Sequence, residues 1–290
     1  MGTELLPKLR KAGFVLRPDS AHIADIFVDI RSKFVEAGIE VYISEESASM
    51  IGVDGGMEFG QMCESSDFLV SLGGDGTLLS LVRRSYEYSK PILGINAGNL
   101  GFLADVTLDD LPSFLDRLTN GDYRIDDRMM IEGYVEQEGH RESFYAFNDV
   151  VITRTTISKM VQIDAYINKE WFNAYRGDGL IVSTPTGSTA YNLAAGGPVV
   201  YPLTRAFILN PICAHSLTQR PLVLPEDFAI RLRSPKDRVV VMVDGQDAYK
   251  LAAGETLAIK GAFKGAKLIH KKNHDYFSVL REKLLWGDES

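Results

Sequence analysis

The apolar positions change their period partway along the chain. As far as residue 124 they form short continuous runs alternating with helical stripes. Phe14–Leu16, Ile39–Ile43, Asp67–Leu72 and Pro91–Ile95 read as strands. Between the first two, residues 22–37 place Ile23, Ile26, Phe27, Ile30 and Phe34 on one helical stripe, and Gly38 ends it. A second helix is expected over Thr77–Tyr86. A third is expected over Leu111–Leu118, with the Thr107–Asp110 segment as its cap. Strand and helix in alternation predict a mostly parallel α/β sheet.

From Arg128 the period becomes two. Met130, Glu132 and Tyr134 alternate with Ile131, Gly133 and Val135, and Phe144–Ile152 returns after a hairpin turn at residues 138–140. Val161, Ile163, Ala165 and Ile167 run to a turn at Asn168–Glu170. Phe228, Ile230 and Leu232, then Val239, Val241 and Val243, Leu257 and Ile259, and Leu268 with His270 continue the alternation. Such runs predict a β-rich domain. Asp275–Trp286 is helical again by spacing. The expected fold is therefore α/β + β. An α/β domain covers 1–124, a β-rich domain covers 125–274, and a C-terminal helix over 275–290 packs back on the first domain.

Composition narrows the function. At 290 residues with 45% hydrophobic and 24% charged positions, the chain can build its own core. Its net charge of −8, without a Lys/Arg block, argues against a nucleic-acid-coating protein, though not against a local phosphate pocket. Its two cysteines, Cys63 and Cys213, form no CxxC pair, so neither a disulfide scaffold nor a cysteine zinc site is expected, and a cytoplasmic location is. The N-terminus lacks a signal-peptide layout, and the charge-free stretch 180–204 is too rich in Pro, Gly, Ser and Thr for a membrane span.

Two segments carry candidate chemistry. Gly73-Gly-Asp-Gly-Thr77 follows an apolar strand and opens a helix. Glycines there permit positive φ and close ligand approach, and a helix N-terminus favours phosphate. An Asp repels phosphate, so Asp75 fits a proton acceptor for a hydroxyl, or a ligand to a metal that travels with phosphate. A tight turn with Asp75 as a helix cap is the alternative. There is no Walker A motif, no Asp-Phe-Gly and no His-Arg-Asp, which excludes P-loop and protein-kinase chemistry. The second segment, Arg176–Tyr191 leading to Gly196-Gly-Pro198, is dense in Ser, Thr and Gly. It suits the sugar and base of a nucleotide, with Tyr191 as a stacking face; a surface loop is the alternative. Arg176 and Asp178 stand where they can bind phosphate and hydroxyl. His270 and His274 are four apart but lack the Glu of a zincin, and read as a solvated edge.

Together these stretches resemble the bacterial type of NAD kinase. The resemblance rests on Gly73–Thr77, Gly94–Leu103, Phe147–Val151, Asp178–Tyr191, Ala195–Pro198, Arg220–Val223, Asp244-Gly-Gln246 and the ending Asp275–Trp286, and covers residue 67 to the end. The GGDG element alone is shared with diacylglycerol and sphingosine kinases; the Ser/Thr/Gly run is specific to NAD kinases. The resemblance implies phosphorylation of the 2′-hydroxyl of the adenosine ribose of NAD, with ATP or polyphosphate as donor and a divalent metal, Mg²⁺, as cofactor. It also implies an active site between an α/β and a β domain, the latter binding NAD, and a homo-oligomer, dimer or tetramer. By position, Asp75 matches the catalytic base and Gly76 its backbone partner. Asn148 and Asp149 match a pair, usually Asn-Glu, that holds the dinucleotide. Arg176, Asp178 and Gln246 match NAD contacts, and Lys159 a variable one. Thr189, Ala190, Tyr191, Asn192, Leu193 and Ala194 match the segment closing around the substrate. Asp149 is one methylene shorter than the usual Glu, so either the backbone comes closer or a water fills the gap. The opening, Leu16-Arg-Pro-Asp-Ser20, departs from the family's Gly-rich strand end. A lipid kinase sharing the GGDG loop and a catalytically silent NAD(H) sensor are the alternatives. The lipid kinase would need an apolar substrate pocket, and the sensor has no use for Asp75.

Overall fold

A computed structural model describes residues 6–18, 22–98, 101–137, 139–156, 159–273 and 275–287. They divide into two compact units. One runs to Asp127 and takes back the chain from Ala266; the other is Arg128–Gly265.

The first unit begins with β1 (Lys11–Leu16), α1 (Ile23–Glu36), β2 (Glu40–Ile43), α2 (Glu45–Ile51), α3 (Phe59–Ser65), β3 (Phe68–Gly73) and α4 (Asp75–Arg84). It continues with β4 (Ile92–Asn96), β5 (Val106–Thr107), α5 (Leu111–Thr119) and β6 (Tyr123–Arg128). The helical stripe of α1 buries Ile23, Phe27, Ile30 and Phe34, and Phe14 of β1 meets Phe27 and Phe34 edge to face. Strands β1, β3 and β4 are buried on both faces, as expected of a parallel sheet covered by helices. The β3–α4 turn therefore sits at the C-terminal end of a central strand, where α/β sheets place ligands.

The second unit is all β apart from short helical turns. It comprises β7 (Ile131–Gln137), β8 (His140–Ala146), β9 (Asp149–Arg154), β10 (Val161–Ile167), β11 (Glu170–Gly177) and β12 (Gly179–Ser183). A 3₁₀ turn (Thr186–Thr189) and the four-residue α6 (Tyr191–Ala194) lead to β13 (Ala206–Ile212), β14 (Leu222–Pro225), β15 (Ile230–Arg233), β16 (Val239–Val243), β17 (Asp247–Leu251) and β18 (Thr256–Gly261). Two six-stranded antiparallel sheets result, in the orders β11-β10-β15-β18-β7-β8 and β14-β13-β12-β9-β16-β17. The inward alternation of both builds one core, from Ile131, Val135 and Phe144 on one side to Ile152, Leu180 and Val182 on the other. The turn at Asn168–Lys169 has positive φ at both residues, the twist a two-residue hairpin needs.

The chain then returns as β19 (Ala266–Lys271) and α7 (Tyr276–Leu284), both in the first unit. Here the strand assignment read from alternation is corrected. Leu268 and His270 do not extend the antiparallel sheets: β19 pairs in parallel with β4, completing a sheet in the order β2-β1-β3-β4-β19-β6 with β5 beside β4. His270 is 1% exposed, so it is not a solvated edge either; His274 lies outside the described residues.

Candidate active site

Asp75 is the first residue of α4, with Gly74 as its N-cap and no side-chain capping bond. Its carboxylate turns away from its own helix. Oδ2 accepts from the amide of Phe102 at 2.8 Å, and Oδ1 from the amides of Leu103 and Ala104 at 3.1 Å each. The helix-cap alternative is thereby set aside. A carboxylate offers about four acceptor positions, so three amides leave one on Oδ2. Asp75 is half-buried and Gly76 exposed.

The surrounding glycines have separate reasons. None of Gly73, Gly74 and Gly76 has positive φ, which corrects the conformational argument made from the motif. A Cβ on Gly73 would strike Thr77 and the Arg17 side chain, whereas one on Gly74 or Gly76 would meet nothing within 4 Å. Those two put no side chain at the N-terminus of α4, the kind of end that favours phosphate. Gly94 lets Leu78 and Ala104 close over β4, and a Cβ on Gly101 would collide with the Asp75 carboxylate.

In the second unit a parallel device holds Asn148 and Asp149. Asp244 accepts from the amides of Phe147, Asn148 and Asp149 at 2.8, 2.8 and 2.9 Å. It does so from a left-handed backbone, φ 52°, followed by Gly245 at 66°. Gln246 lies exposed in the same turn. The role of Asp244 was missed in the sequence; the signal was the Asp-Gly pair at a strand end. Asp149 is 5% exposed, and burial together with the negative Asp244 pushes its carboxyl up to about 7.

The Ser/Thr/Gly run is not a surface loop. Gly179–Ser183 is a fully buried central strand, which explains its lack of charge. Most of its hydroxyls serve the fold. Thr184 Oγ1 donates to the Phe147 carbonyl at 2.6 Å, Ser183 Oγ contacts the Thr184 carbonyl at 2.9 Å, and Ser188 Oγ accepts from the Val200 amide at 3.0 Å. Gly187 packs its backbone on the Asn148 carbonyl where a side chain would collide. Asn192 is fully buried, donates to the carbonyls of Ser188 and Pro198, and receives Asn210, so its side chain fastens the segment expected to close around the substrate. Thr189, Ala190 and Leu193 are half-buried, and Ala194 and Tyr191 are exposed.

The remaining expected contacts gather elsewhere. Asp178 pairs with Arg154 at 3.0 Å, and Arg176 donates to Gln162 at 3.3 Å. The exposed Lys159 lies just before Val161, whose register partner is Gly177. Asp149 faces Ser183 across β9 and β12, whereas Gly179 faces Thr153. The Lys159–Arg176–Asp178 group is thus about 13 Å along the strands from Asn148–Asp149. A groove of about 960 Å³ whose lining includes Arg154, Arg238 and Lys250 lies at that far end.

A carboxylate beside a glycine-lined helix N-terminus, on a parallel sheet without a phosphate-binding lysine loop, fits phosphoryl transfer outside the P-loop and protein-kinase classes. The chain matches the ATP-NAD kinase N-terminal domain over residues 13–123 and the ATP-NAD kinase C-terminal domain over 147–271. It is 52% identical over 284 residues to the NAD kinase of Wolinella succinogenes, covering 98% of each chain. It is 50% identical over 280 residues to that of Sulfurimonas denitrificans, covering 97% of this chain and 98% of the other. Among solved structures, yeast NADH kinase complexed with NADH superposes with a TM-score of 0.89 at 24% identity, over 98% of this chain and 90% of that one. An NAD kinase from Archaeoglobus fulgidus in complex with ATP gives 0.73 at 26% identity, over 95% and 98%. The chain belongs to the NAD kinase family.

Proposed function

We propose that the protein transfers the terminal phosphoryl group of ATP to the 2′-hydroxyl of the adenosine ribose of NAD, yielding NADP and ADP. The observation that carries this reading is the Asp75 carboxylate, held by three amides with one acceptor position left for a hydroxyl. Asp75 takes the ribose proton as the new oxygen–phosphorus bond forms and the bond to ADP breaks. A carboxylate is a weak base, so positioning supplies most of the acceleration. The helix N-terminus that opens at Gly74 favours the charge on the phosphoryl oxygens. In the second unit, Asn148 and Asp149 hold the dinucleotide, Tyr191 offers its exposed ring as a stacking face, and Gln246 makes a further contact.

Among the described residues no group of three or more His, Cys, Asp or Glu side chains could hold a metal ion. A magnesium ion would enter on the donor's phosphates. When bound, such an ion neutralises charge on the phosphates; polyphosphate would carry it equally.

We read the protein as a cytoplasmic homo-oligomer, dimer or tetramer. Cys63 and Cys213 are both free thiols, which supports a reducing compartment. No helix among the described residues is long and apolar enough to cross a membrane. The test of function is incubation with ATP, Mg²⁺ and NAD, with NADP read by an NADP-specific dehydrogenase. NADP formation is expected; phosphorylation of a diacylglycerol or sphingoid base in its place, or NAD binding without turnover, would support the alternatives.

A further inference from the structure

Three side chains that the proposed chemistry does not use meet inside the first unit. His270 of β19 is 1% exposed; its Nδ1 lies 3.0 Å from Asp105 Oδ2, and its Nε2 3.6 Å from Asp126 Oδ2. The side chains of Asp105 and Asp126 are 6% and 5% exposed. Arg124 Nε stands 3.2 Å from the other oxygen of Asp126, so β6 brings its own counter-charge. An ionised Asp105 can only accept, so Nδ1 carries the hydrogen of that bond.

The location gives this cluster a consequence. Asp105 directly follows Phe102, Leu103 and Ala104, whose three amides hold Asp75. The next residue of β19, Lys271, grips the same stretch of chain five residues further on, through Asp110 at 2.7 Å. That contact, with a hydrogen bond from Thr107, holds the Asp110 carboxyl below the usual range. Consecutive residues of one strand thus fasten the chain at two points just after the segment that aims the proposed base.

We infer that His270, clamped between Asp105 and Asp126, is a positioning residue for phosphoryl transfer, fixing the 102–104 amides so that Asp75 keeps its free acceptor position on the ribose hydroxyl. The inference rests on Asp75 being the base. It assigns His270 no contact with substrate.

The experiment measures steady-state NADP formation by the full-length protein, with His270→Leu, His270→Asn, Asp105→Asn, Asp105→Ala and Asp75→Asn, and His270→Leu combined with Asp75→Asn. A misplacement of about 1 Å can cost ~100-fold in rate, so His270→Leu is expected to lower kcat by about 10- to 100-fold. Its KM values for NAD and ATP should stay within about threefold, since binding groups are untouched. Asn can present a donor where Nδ1 stood, so His270→Asn should recover most of the rate. Asp105→Asn keeps an acceptor oxygen for Nδ1 and should retain most of the rate, whereas Asp105→Ala, which removes it, should lower kcat as His270→Leu does and replaces that variant if the leucine protein does not fold. The deciding comparison is the double variant. A residue that acts through Asp75 adds no further loss once Asp75 is replaced by asparagine. A folded His270→Leu protein with the parent kcat, or the same fold-loss in both backgrounds, would overturn the inference. Undiminished turnover in Asp75→Asn alone would instead remove the base on which it rests.

Discussion

Replacing Asp149 by asparagine should change how stability depends on pH. Burial, and then the negative Asp244, raise the Asp149 carboxyl to about 7 from its ordinary value of 3.8. The folded protein therefore prefers this group protonated. Its contribution is fully present below the unfolded value and is lost as pH rises through about 7. Each unit between the two values removes about 1.4 kcal/mol, so the whole interval is worth about 4 kcal/mol. The near-complete burial of the group means solvent screening removes little of this. A carboxamide cannot ionise, so the Asp149→Asn variant lacks the loss. From about pH 5 to about pH 7 the variant should gain about 2 kcal/mol relative to the parent. Urea unfolding of ligand-free protein at half-unit steps across that interval measures it. If the stability curves of parent and variant run parallel there, Asp149 is neither as buried nor as close to a negative charge as described. NAD should also release a proton on binding below about pH 7 if its hydroxyls donate to the ionised carboxylate.

Other outcomes follow from the same contacts. Asp244→Asn tolerates the left-handed backbone but weakens three charge-assisted bonds. It should cost about 1–3 kcal/mol in urea unfolding and move the Asp149 titration downward. Gly101→Ala drives a methyl group into the Asp75 carboxylate; turnover should fall by more than about tenfold with a far smaller change in NAD affinity, read by kinetics and calorimetry. Tyr191→Ala should weaken NAD by about 3- to 10-fold, the worth of an aromatic stacking contact, and leave ATP unchanged. Separate titrations decide it, and an ATP constant that moves alone would mean that the ring faces the donor.

Much of the fold was legible because its two periods are clean. The stripe of α1 and the alternation of β7, β10 and β16 each bury the face their spacing marks. Helices α2 and α3 were not, since seven residues make two turns, too few for a stripe to stand out. Their starts are marked instead by Ser44 and Glu58 accepting from the third residue on. Strand β19 was misplaced because alternation does not say which sheet a strand joins; the pairing with β4 is a contact distant in sequence. At the site, the Asp75 motif was readable as a turn, but its three partners lie some 27 to 29 residues on. The internal hydrogen bonds of Asn192 were not legible either, because only packing reveals where a side chain spends its donors.

The central claim is that Asp75 accepts the ribose proton, and Asp75→Asn tests it most directly when kcat for NADP formation and the NAD dissociation constant are measured on one folded preparation. The expected result is a loss of kcat of roughly two to four decades, the range of a general base, with NAD affinity held within about tenfold. A folded variant that makes NADP at the parent rate would contradict it.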